Sequence, residues 1–182
     1  MAKGKTFSFG GFTTPVLPAG KYIAKIAKGK QTFEHPFELV YDAKSTVSSK
    51  DRVFKHKTVN EIYEMIETLA YKVYILDAYL DYATSSQKKK LIKKLNALKE
   101  TMVITTGDNY VGAAEPQLRE KMTTIFQRIE ENYGAPTPDE IQNLAKIKNR
   151  FQSAVESLEK IIKKYKLKRM VPLKSLDEYL KS

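Results

Sequence analysis

Residues 58–83 read TVNEIYEMIETLAYKVYILDAYLDYA, and the spacing within this stretch decides what kind of protein the chain is. Ile62, Ile66, Leu69, Val73, Leu76 and Leu80 recur at intervals of four, three, four, three and four, which places them in one stripe along an α-helix. Thr58-Val59-Asn60-Glu61 has the form of a capping box, in which the threonine hydroxyl and the glutamate carboxylate satisfy orphan amides of a first turn. The pattern predicts a helix from about Val59 to Ala83.

Downstream the same logic repeats. Thr84-Ser85-Ser86-Gln87 reads as the start of a second helix with seam Leu91, Leu95, Leu98 and Met102. Thr106-Gly107-Asp108-Asn109 breaks the pattern, and Pro116, at a first-turn position, opens a third helix with seam Leu118, Met122, Ile125 and Ile129 that Gly134 closes. Thr137-Pro138-Asp139-Glu140 joins an N-cap, a first-position proline and a capping-box glutamate. It opens a fourth helix from about Pro138 to Lys166, with seam Phe151, Val155, Leu158, Ile162 and Tyr165. Ser175-Leu176-Asp177-Glu178, after Pro172, predicts a short terminal helix. Four amphipathic helices joined by short turns bury their seams most simply as an up-down-up-down four-helix bundle, so the expected fold class is mainly α.

Upstream the texture differs. Five of the eight glycines precede Gln31, and Pro15, Pro18 and Pro36 punctuate the same part. Tyr22 to Ala27 and Gln31 to Val40 are rich in aromatic and β-branched residues and are separated by Lys28-Gly29-Lys30, a β-hairpin signal. Tyr22, Ala24 and Ile26 share a face of the first strand, Phe33, Phe37 and Leu39 a face of the second, and Phe7-Ser8-Phe9 is a candidate third strand. A hairpin has at most one buried face and leaves two edges open, so this region needs a partner. Either it packs on the helices or it ends a sandwich whose earlier strands lie elsewhere. The polar stretch from Ala43 to Arg52 marks the boundary, giving 1–56 as a β-hairpin region and 57–182 as an antiparallel helical bundle with a short C-terminal extension.

The composition removes much chemistry. The 182 residues carry a formal charge of +11 (32 Lys and Arg against 21 Asp and Glu), no Cys, no Trp and two His. Disulfides, thiol catalysis, Cys-based zinc sites and sites built from several imidazoles are excluded. No apolar run reaches the ~18 residues of a membrane span. His35 and His56 have no triad-like surroundings, and no Gly-rich phosphate loop is present, since Gly107 to Gly112 lacks a Lys-Ser/Thr ending. Asp77 with Asp81 and Glu61 with Glu64 lie at helical spacing, but no Glu-x-x-His pair accompanies them, so they read as solvent-facing charges. We therefore expect no catalytic, cofactor or metal residues.

Two features are left over. Lys88-Lys89-Lys90 with Lys93 and Lys94, and Lys160, Lys163, Lys164, Lys166, Lys168 and Arg169, form basic runs that suit either a solvated helix face or a phosphate backbone. The absence of a nucleic-acid motif favours the solvated face. Tyr63, Tyr71, Tyr74, Tyr79 and Tyr82 all fall on the first helix and suit either an interface or packing beside the seam.

Gly11 with Pro15 and Pro18-Ala19-Gly20-Lys21-Tyr22, and Gly134-Ala135-Pro136-Thr137-Pro138, stand in order along the chain. They resemble the Pro-Gly-x-Tyr approach to the last β-hairpin and the Ala-Pro-Thr helix start in the C-terminal region of bacterial sortilin-like BNR-repeat β-propeller proteins, often described as glycosyl hydrolases or sialidase-like. The resemblance implies the end of an Ig-like sandwich followed by a helical bundle, secreted or periplasmic as part of a longer parent whose propeller lies upstream. It implies that any catalytic residues lie upstream too, because this chain has no Trp and no Asp-box turn. Lys168-Arg169-Met170 to Ser182 departs from the family, whose tail ends soon after the last helix. The functional expectation is a non-catalytic accessory or packing region that meets an upstream propeller or another protein partner. The alternative is an independent basic bundle that binds nucleic acid or an anionic surface.

Overall fold

The structure, a computed structural model, describes residues 14–105 and 115–181. The expected strand at Phe7-Ser8-Phe9 and the break at Thr106-Gly107-Asp108-Asn109 lie outside those residues. The described chain is mainly helical with an N-terminal antiparallel hairpin.

Strands β1 (Gly20–Lys28) and β2 (Gln31–Leu39) pair with Tyr22 opposite Phe37, Ile26 opposite Phe33 and Lys28 opposite Gln31. The two-residue turn needs its first position at positive φ, and Gly29 sits at φ 61° with nothing near its missing side chain. The register places Tyr22, Ala24, Ile26, Phe33 and Phe37 on one side of the sheet, where the Tyr22 and Phe37 rings stack at 5.7 Å. On the other side Lys25 pairs with Glu34 at 2.7 Å.

Helix α1 runs Ser49–Ser85, so it begins well before the Thr58 box. Ser48 is the N-cap, accepting from the Asp51 amide at 3.1 Å and donating to its carboxylate at 2.7 Å. Thr58 is buried inside the helix and donates back to the Phe54 carbonyl at 2.9 Å, the intrahelical use of a hydroxyl. The early turns escaped the periodicity because Val53 and Phe54 are exposed and carry no seam. The expected boundary at 56/57 therefore falls within α1.

Thr84-Ser85-Ser86-Gln87 ends α1 rather than opening the next helix. Gln87 takes φ 52°, its amide donates to the Thr84 carbonyl, and the Lys88 amide donates to Ala83 at 2.8 Å, the bonding of a Schellman close. Helix α2 follows as Lys89–Met102, α3 as Leu118–Glu131 and α4 as Pro138–Tyr165. Pro116 lies just before the Gln117 N-cap of α3, whereas the Thr137–Glu140 box opens α4 as expected. A 3₁₀ turn, Leu167–Arg169, and a short helix α5, Leu176–Leu180, complete the chain.

The helices do not alternate up-down-up-down. At ~1.5 Å per residue, α1 with 37 residues is about 55 Å long and α2 and α3 with 14 each are about 21 Å, so neither short helix can match α1 alone. They lie in tandem. Leu98 and Thr101 at the end of α2 and Leu118 at the start of α3 meet Ser153 in the middle of α4 along one groove. Both run against α1, as the Lys99–Asp77 pair at 2.7 Å and the Lys55 bonds to the Glu130 and Asn132 carbonyls at 2.6 Å each show. Helix α4 is parallel to α1: Lys148 pairs with Glu61 at 2.6 Å and Lys72 with Glu159 at 3.4 Å, two contacts with the same sequence offset. The result is two long parallel helices joined by a split antiparallel one. Val59, Ile62, Leu76, Leu95, Met122, Ile129 and Leu158 fill the space between them.

Candidate functional site

The tyrosine ladder of α1 resolves into an internal docking groove and its rim. Helix α5 folds back so that Tyr179, 1% exposed, sits against the ladder. Its ring stacks on Tyr74 at 5.1 Å and tilts against Tyr71 at 5.6 Å, and the Tyr71 hydroxyl donates to the Lys174 carbonyl at 2.8 Å. Three aromatic rings in mutual contact gain more than their buried area alone. Burial, then Asp77, then Tyr74, push the Tyr179 hydroxyl up to about 12. Burial likewise raises Tyr71, helped by Tyr74 and Glu178, and Tyr79, helped by Glu159 and Tyr71. Tyr79 is buried outright. Tyr63 is half-buried, its hydroxyl raised by burial and by Glu67. Tyr82 caps the far end: Lys88 Nζ donates to its hydroxyl at 2.7 Å, lies 4.5 Å over the ring and lowers its pKa.

Of the five tyrosines, then, Tyr71 and Tyr74 are covered by the chain's own C-terminal segment and Tyr79 is core. Tyr179, the residue that completes the cluster, carried no signal in the sequence because a single tyrosine in a short terminal helix has no period to belong to.

The paired carboxylates do not converge. Asp77 holds Lys99 and Glu61 holds Lys148. His56 lies in α1 beside Asn60, whose Nδ2 is 2.9 Å from the ring and also donates to the His56 carbonyl. His35 is exposed on β2 opposite Ala24. Among the described residues no three His, Asp or Glu side chains are grouped to hold a metal ion. No described helix is long and apolar enough to cross a membrane.

Two surfaces remain uncommitted. The apolar face of the hairpin leaves Ile26 62%, Phe33 55% and Phe37 38% exposed. The second is a cleft of about 520 Å3 where α4 passes into the 3₁₀ turn, bordered by Lys160, Lys163, Lys166, Lys168 and Arg169.

The segments that carry the resemblance to BNR-repeat proteins form local turns here. The Tyr22 hydroxyl donates to the Pro18 carbonyl at 2.7 Å, and buried Pro136 leads into the α4 cap. Comparison with protein-family models, with curated proteins and with solved structures finds no match.

Proposed function

We propose that the chain is a non-catalytic packing module whose hairpin completes a β-rich partner, the upstream propeller region of a longer parent being the partner that the resemblance implies. The observation that carries this reading is the exposed apolar side chains of Ile26, Phe33 and Phe37 on one face of a two-stranded sheet. Two strands with an exposed apolar face are marginal in water, and a third strand or a covering sheet would remove the cost.

The edges are not equivalent. With Lys28 and Gln31 as the closing hydrogen-bonded pair, Ile23 and Pro36 form a non-hydrogen-bonded pair, so the groups of both residues point outward. Pro36 has no amide to offer there, which blunts the outer edge of β2. The outer edge of β1 keeps all its donors, and a partner strand adds to β1.

Hydrogen exchange on the intact chain tests this. Alone, the amides of 20–39 exchange far faster than the α1 core; protection equal to the bundle would show that the hairpin already has its cover and refute the reading. Ile23→Pro removes an outward donor without breaking a hairpin bond, so it abolishes pairing with the upstream region while leaving the hairpin intact. Turnover of glycoside substrates by the chain itself would refute the non-catalytic assignment.

A further inference from the structure

The sequence separates its two lysine runs by about seventy residues, but the fold brings both to one end of the bundle. Helix α1 ends at Ser85, α2 begins at Lys89 across a short turn, and α4, parallel to α1, ends at Tyr165. Within this end lies the cleft described above, independent of the hairpin.

Three observations set it apart from a solvated lysine face. First, a backbone turn gathers its cations around one cleft. Lys166 adopts the left-handed conformation (φ 53°, ψ 37°) that glycine usually fills, and this turns the chain so that Lys168 and Arg169 border the same cleft as Lys160 and Lys163. Leu167, fully buried, pins the turn.

Second, the five cations exceed what the helix end requires. Lys163 and Lys164 already lie in the last turn of α4, where cations complement the helix dipole. The terminal carbonyls are also engaged: the Lys166 amide donates to Ile162 and Lys163, Arg169 donates to Lys166, and Met170 to Leu167.

Third, the charge is uncompensated among the described residues. None of the five forms an ion pair among the described residues, and the single carboxylate in the lining, Glu159, is drawn to Lys72 at 3.4 Å. Like charges gathered around one cleft repel one another, a cost that a multiply charged anion reverses.

We infer that this cleft binds a small polyphosphorylated anion. Its volume falls among those of small-ligand clefts. A single-stranded nucleic acid uses a long cationic groove with aromatic platforms for its bases, and the lining here contains no aromatic ring. Lysine ammonium groups and a forked guanidinium suit clustered phosphate oxygens.

Calorimetric titration of the intact chain with inorganic tripolyphosphate is the test, with a single-stranded DNA oligonucleotide in parallel. The expected result is one saturable, salt-sensitive site for tripolyphosphate. It weakens at least about tenfold in Lys163→Gln/Arg169→Gln and is unchanged in Lys146→Gln, an exposed lysine near the other end of α4. Equal thermal midpoints for the three proteins show that the variants fold. No heat at millimolar tripolyphosphate, equal weakening in Lys146→Gln, or tighter binding of the oligonucleotide would each overturn the inference. Vesicles carrying a polyphosphoinositide, beside phosphatidylserine vesicles of equal charge, separate the sources: capture of the first alone keeps the site and assigns the anion to a lipid headgroup, whereas equal capture of both reduces it to bulk charge and overturns it.

Discussion

Replacing Tyr179 by alanine tests the contact that closes the C-terminal segment onto α1. The side chain is 1% exposed and touches both Tyr71 and Tyr74. A buried tyrosine removes about 150–250 Å2 from water. At about 25 cal/mol per Å2 that burial corresponds to about 4–6 kcal/mol, and aromatic-to-alanine changes in cores cost about 3–5 kcal/mol, so about 3 kcal/mol is the lower figure. Because α5 is five residues long and terminal, the loss falls on local docking rather than on the whole bundle. About 3 kcal/mol is a factor of about 100 in the opening equilibrium. Limited trypsin digestion reads this directly, since Tyr71 holds the Lys174 carbonyl in the docked segment. Cleavage after Lys174 should be about 100-fold faster in Tyr179→Ala, while Tyr179→Phe, which keeps the stacked ring, should stay close to the parent. Equal cleavage of the parent and the alanine variant would show that the segment is not held by this ring.

The same contact predicts a pH dependence. Tyr179 keeps its proton to about 12 in the folded state, above the ordinary 10 of a free tyrosine. Its stabilisation is therefore complete below pH 10 and is lost as pH rises through 12. Glu178, held below its ordinary value by the Ser175 amide and hydroxyl, acts in the opposite sense, stabilising α5 above the ordinary glutamate range and ceasing to do so as pH falls through its folded value. Near-ultraviolet circular dichroism of the tyrosine cluster should change at both extremes, and titration of all eleven tyrosines as one class near 10 would refute the first. At the Schellman close, Gln87→Gly should raise the urea midpoint by the equivalent of about 0.5–1 kcal/mol, since glycine takes φ 52° without strain; a lower midpoint would mean that the glutamine side chain contributes something the strain argument omits.

Much of the local structure was legible because it depends on neighbours in sequence. The Thr137–Glu140 and Ser175–Glu178 boxes form as read, and the helix seams at Leu118, Met122, Ile125 and Ile129 are buried together. The start of α1 was not legible, because its first turns are held by Ser48 and by Lys55 reaching the end of α3 rather than by an apolar stripe. Thr84 to Gln87 reads as a start from its polar residues, and only the left-handed Gln87 makes it a stop.

By itself the sequence determined a hairpin that needs a partner surface, a set of amphipathic helices and a composition without thiols, Cys-based zinc sites or sites of several imidazoles. Periodicity, turn residues and composition are sufficient for each of these. The tertiary structure alone decided that α2 and α3 share one column between two parallel helices, because helix length and long-range ion pairs set that arrangement. It alone decided that Tyr71 and Tyr74 belong to Tyr179, and that Lys160 and Arg169 border one cleft, because both depend on where the chain turns after Lys166.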